Sequence, residues 1–174
     1  MWSDNEILDA VAGRIDAPAL WRLQFWIWVA FSRSSVFMLE GDAQGTIGYL
    51  WVLSSAQFKA IALQPDLSQL EAHPFYLQDA CKLSPAQALH WHNWPFFRVG
   101  DVVEEVDEQT RDGIWMTLRS FDGSTSDHAN LTNPDEKLQP LRWQAQNEVC
   151  DLLDRLWNWK QMIADSSQVG RTQR

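Results

Sequence analysis

The first third of the chain carries two different rhythms of apolar and polar positions. Ile7, Leu8, Val11 and Ile15 recur at helical spacing behind a Ser3/Glu6 capping box, which predicts a short first helix ending near Gly13. Asp16 and Pro18 then supply an N-cap and a first-turn proline for a second helix over the Trp-rich run "ALWRLQFWIWVAF", residues 19–31. At 1.5 Å per residue that run spans roughly 20 Å, short of the ~30 Å hydrocarbon core of a bilayer. Arg22 and Gln24 also interrupt it, so a helix buried on nearly all sides is expected and no membrane span. Val36–Leu39 and Thr46–Leu53 are rich in β-branched and aromatic residues, and "GDAQG" between them has turn chemistry, which predicts a hairpin. Apolar side chains on both faces of Gly48–Val52 predict a strand covered on both sides.

Farther along, Ser54 or Ser55 caps a helix that Pro65 stops, and "DLSQLEA" allows a second helical turn. "FYLQDACKL" after Pro74 reads as a strand, and Ser84-Pro85 opens a short helix, "SPAQALHWHN". Residues 96–121 read as two antiparallel strands around a turn at Asp112-Gly113, and residues 122–140 as a surface loop. Leu141, Ala145, Val149, Leu152, Leu156 and Ile163 mark a final helix. The predicted order is α-α-β-β-α-β-α-β-β-α, an α/β or α+β chain with helices on a mixed sheet. It forms one domain over residues 1–164, followed by a polar, disordered tail at 165–174.

Composition narrows the partners. With 11 Trp against 2 Tyr, 8 Gly and 7 Pro among 174 residues, the chain has the make-up of a packed globule. Its net charge of −9 repels phosphate backbones and anionic lipid, which argues against nucleic acid and membrane surfaces. Cys81 and Cys150 stand far apart and in no metal-ligand spacing, which predicts free thiols in a reducing cytoplasm. The acidic start "MWSDNEILDA" lacks the basic and apolar blocks of a signal peptide.

Chemistry has few candidates. His90 and His92 in "HWHNW" are two apart and do not share a helix face, so paired metal ligation is disfavoured and half-buried histidines beside Trp91 and Trp94 are expected. The acidic run "VVEEVDEQTRD" reads as a solvated strand edge. A nucleophile elbow, a Walker loop, a dinucleotide fingerprint and a Cys-x-x-Cys pair are all missing. The Trp residues belong to a core, or Trp21, Trp26, Trp28 and Trp51 line a groove that holds an acyl chain. Asp79 sits late in an apolar strand, where a carboxylate needs a partner. It either points outward at the strand end or orients a histidine base, with His73, His90 and His92 the nearest in sequence.

The hairpin "VFMLEGDAQGTIGYLW" followed by a helix resembles the second and third strands of the acetyltransferase-like (GNAT) fold. That fold carries a basic, glycine-containing pyrophosphate loop after the next strand. Here "LQDACKL" leads into "SPAQALHWHN", which has no glycine, so acetyl-CoA binding is not implied. The chain resembles instead the branch without that loop, the RTX toxin-activating lysine acyltransferases or hemolysin-activator family. "EILDAV" is similar to the family's opening helix, "APALWRLQFW" to its Ser-Pro-Leu-His-Arg-like stretch, and "FYLQDACKL" to the strand with its essential aspartate, which falls on Asp79. The resemblance implies transfer of a fatty acyl group from acyl carrier protein to a lysine of a partner protein, with no bound cofactor. The family's catalytic histidine falls on Trp21, which cannot accept a proton. Either His90 or His92 replaces it, or the chain is a non-catalytic relative. The rival reading is an acidic binding protein of chaperone, immunity or adaptor type, which binds a protein partner or pairs with itself as a homodimer.

Overall fold

A computed structural model describes residues 19–54, 56–58, 74–94 and 113–164. The expected hairpin is β2 (Ser35–Asp42) and β3 (Gly45–Val52), paired antiparallel. Asp42 closes its turn, Oδ1 accepting the amides of Gln44 (2.6 Å) and Gly45 (3.0 Å). Gly45 sits at φ 141°, where a side chain would be strained. The expected strand at "LQDACK" is β4 (Leu77–Lys82), bonded to β3.

The Trp-rich run expected as a buried helix is instead a strand, β1 (Trp21–Val29), flanked by β2 and by β5 (Ile114–Phe121). Leu23, Phe25 and Ile27 on one face are fully buried, while Arg22, Gln24, Trp26 and Trp28 alternate with them on the other. Arg22 and Gln24 are therefore the period-two signal of a strand, not interruptions of a helix. Trp26 and Ile27 are buried on opposite faces, so an interior strand imitates the all-round apolarity of a core helix.

Two further expectations change. The loop over 122–140 contains β6 (Ser126–Asn130), an edge strand in which only Ala129 is buried, so its apolar signal is faint. The final helix is two, α2 (Pro140–Trp157) and α3 (Trp159–Ile163), because Asn158 takes a left-handed conformation at φ 53°, ψ 46°. The expected helix at "SPAQALHWHN" is α1 (Pro85–His92), with a reciprocal capping box between Ser84 and Gln87. Ser54 and Gln57 make the same box ahead of residues 56–58. The first helix, the Asp16–Pro18 cap, the turn after Pro65, the first strand of the 96–121 pair, His73 and the tail lie outside the described residues.

Among the described residues six strands run β4-β3-β2-β1-β5-β6, and every pairing is antiparallel. The sheet is thus not the mixed one expected. β1 to β4 follow one another as a meander and β5 returns beside β1, so no parallel neighbours arise. The class is α+β. One face of the sheet, carrying Leu23, Phe25, Phe37, Leu50, Met116 and Leu118, joins one hydrophobic core with Trp91 of α1, Val149, Leu152 and Trp157 of α2, and Trp159 of α3. Trp159 Nε1 donates to the buried Ser35 Oγ at 2.9 Å, which ties α3 to β2.

The opposite face changes character along the strands. One row across it reads Lys82, Ile47, Glu40, Arg22 and Phe121, and four residues along each strand another reads Gln78, Trp51, Val36, Trp26 and Thr117. Trp28 continues the aromatic end, stacked on Trp115 at 4.3 Å and on Phe58 at 6.0 Å. Among the described residues no helix is long and apolar enough to cross a membrane.

Candidate functional site

Asp79 stands mid-way along β4, the outer strand of the sheet, with its side chain on the helix-covered face opposite Leu50. The strand is exposed on both faces there, unlike the apolar strand expected. Both carboxylate oxygens have donors. Oδ2 accepts from Trp157 Nε1 of α2 at 3.0 Å, and Oδ1 accepts from the amide of Ala80 at 2.9 Å. The partner is an indole and a backbone amide, not a histidine.

His90 and His92 lie in the last turn of α1 and point to different neighbours. His90 Nε2 is 3.6 Å from Glu148 Oε2 of α2, with the imidazole 55% exposed. Glu148 is already engaged: Oε2 accepts from Trp94 Nε1 at 2.8 Å and Oε1 from Gln144 at 2.7 Å. His90 also meets Trp91 edge-on at 5.4 Å. His92 instead lies 5.6 Å from the ring of Trp21, tilted by 31°. The three predicted catalytic side chains are therefore distributed over separate contacts. Trp157 and Glu148, the partners of Asp79 and His90, carry no motif in the sequence, and Trp157 is not among the residues that mark the last helix there.

The four Trp residues proposed for an acyl groove are divided by the sheet. Trp21 belongs to the helix-covered core, whereas Trp26 and Trp51 flank Val36 on the other face. Trp51 is 2% exposed and stacks on Tyr49 at 5.9 Å. Trp21 borders an open depression shared with Asp42, Thr46, Lys82, Leu89 and His92. Its ring lies flat across Gly41, the residue opposite it on β2, and a Cβ there would come within 2.0 Å of Trp21 Nε1.

Electrostatics adds two perturbed groups near the sheet. Arg22 grips Glu40 Oε2 with Nε (3.0 Å) and Nη2 (2.8 Å), and Glu40 is 6% exposed. Burial, then the nearby Glu40 and Asp42 carboxylates, raise the Tyr49 phenol above its usual range. Burial also pushes the Cys150 thiol up to about 11. Cys81 and Cys150 are both free. Among the described residues no group of three His, Cys, Asp or Glu side chains converges as a metal site would require.

No family model, curated protein or solved structure matches this chain.

Proposed function

We propose that this is a non-catalytic, acidic binding protein of the chaperone, immunity or adaptor type, which acts by covering a basic surface of a protein partner. The observation that carries the reading is the dispersal of Asp79, His90 and His92 into contacts with Trp157, Glu148 and Trp21. A base that removes a lysine proton needs hydrogen-bond access to it and an orienting partner, and here both Asp79 oxygens already hold donors. A net charge of −9 favours a basic partner. Leu138 (83% exposed), Leu141 (68%) and Trp143 (40%), at the start of α2, give that partner an apolar contact on the same chain.

Acyl transfer from acyl carrier protein to a lysine, on an acetyltransferase-like arrangement, is the second reading. It is favoured by the open depression where Trp21, Lys82 and His92 meet. One experiment separates the two. The chain is incubated with fatty-acyl carrier protein and a lysine-rich acceptor, and intact masses are followed, beside a cross-linking capture of its partner. Under the binding reading, no acyl group moves, and Leu141→Ser with Trp143→Ser weakens capture of a basic protein. Acyl transfer that Asp79→Ala abolishes overturns it.

A further inference from the structure

The outer strand β4 presents a specific pattern of backbone groups. The amide of Leu83 reaches the carbonyl of Thr46 at 2.9 Å in the β3–β4 register. Alternation along an antiparallel ladder then turns Cys81 and Asp79 toward β3, and the amides and carbonyls of Lys82, Ala80 and Gln78 outward. An edge of this kind is a template for another strand unless something blunts it. Here the register with β3 is unbroken from Leu77 to Lys82, and no proline lies within the strand.

The Lys82 carbonyl accepts a long, weak bond from Cys81 Sγ at 3.7 Å, and what interrupts the row of amides is Asp79. Its Oδ1 takes the amide of Ala80, the middle one of the outward three, while Trp157 Nε1 holds Oδ2 from α2. The anchored carboxylate thus occupies the middle donor that an incoming strand would need, and its charge repels that strand's carbonyls.

We propose that Asp79 is a guard on the β4 edge, and that the backbone row it interrupts is a self-pairing surface for a second copy of this chain. The sequence of β4 suits that occupant. Antiparallel pairing centred on Ala80 sets Gln78 opposite Lys82 of the second copy and residue 79 opposite Cys81, so no like charges face one another across the seam. The device works whatever the protein binds elsewhere.

Sedimentation velocity over a concentration series tests it. Asp79→Ala gains mass with concentration relative to the unmodified chain. Adding Ala80→Pro to that variant returns the mass to that of the unmodified chain, because the Ala80 amide makes no bond to β3 and proline is tolerated on such an edge. If Asp79→Ala does not fold, hydrogen exchange on the unmodified chain decides. After correction for intrinsic rates, the Ala80 amide exchanges about fivefold more slowly than those of Gln78 and Lys82, as one net hydrogen bond requires. An unchanged mass for folded Asp79→Ala, association that survives Ala80→Pro, or equal exchange at the three amides overturns the proposal.

Discussion

Gly41→Ala tests whether the Trp21 ring is locked against the β2 backbone. A Cβ on residue 41 would sit 2.0 Å from Trp21 Nε1, 2.3 Å from Cε2 and 2.8 Å from Cδ1. Carbon contacts settle near 3.5 Å, so the indole must retreat by about 1.5 Å. It has little room to do so, because Trp21 is 7% exposed, belongs to the core cluster and has His92 across from it. Overpacking of this kind costs about 1–3 kcal/mol, which for a chain of this size lowers Tm by roughly 2–12 °C. Relieved of the ring, the same substitution changes sign. In a Trp21→Ala background, Gly41→Ala removes a strand glycine and stabilises by about 0.5–1 kcal/mol. Urea unfolding of the four proteins of this cycle, read by far-UV circular dichroism, gives the coupling. An equal effect of Gly41→Ala in both backgrounds refutes the packing argument.

Two pH dependences follow from buried and capped groups. Cys150 keeps its proton longer folded, at about 11, than unfolded, near 8.5. Its contribution is therefore complete below pH 8.5 and is lost as pH rises toward 11. The denaturation midpoint should fall more steeply over that window in the unmodified chain than in Cys150→Ala, with Tyr49 common to both. A parallel fall rejects the assignment. Asp122 has the opposite sense. The Thr125 amide, then the amide and hydroxyl of Ser124, hold its carboxyl below the usual range, so its support for the β5–β6 turn is present above pH ~4 and disappears as pH drops further. Asp122→Asn should flatten the acid limb of the stability curve, and an unaltered limb would count against the cap.

Legibility in the sequence depended on how each element is covered. α1 and the helical turn at 56–58 are legible because Ser84-Pro85 and Ser54 or Ser55 mark their starts, and the structure adds a Gln three residues beyond Ser84 and Ser54 that completes each box. The β2–β3 hairpin was readable because Asp42 and Gly45 supply chemistry that only the turn demands. β1 reads as a helix because a strand with neighbours on both edges and cover on both faces loses the alternation that distinguishes it from a core helix, leaving only Arg22 and Gln24 as a clue. β6 was missed for the converse reason, since "SDHAN" buries one side chain. Asp79 has a side-chain partner, though on an exposed strand and not on the apolar one from which the need for a partner is argued. The identity of that partner was beyond reach, because Trp157 is distant in sequence and its indole N–H has no signature of its own.

The position of β1 also governs how the chain comes together. It precedes every other described strand yet lies in the middle of the finished sheet. During synthesis one of its edges is occupied as soon as β2 emerges. The other stays open until residues 114–121 have been made and β5 can dock against it. That seam joins segments far apart in the chain, the kind of pairing whose loop-closure entropy slows folding. A nascent chain or fragment ending before β5 has a four-stranded meander with two free margins. One of them is β1, with Trp26 and Trp28 along it, and it is there that premature termination or a stalled ribosome leaves this protein most open to aggregation.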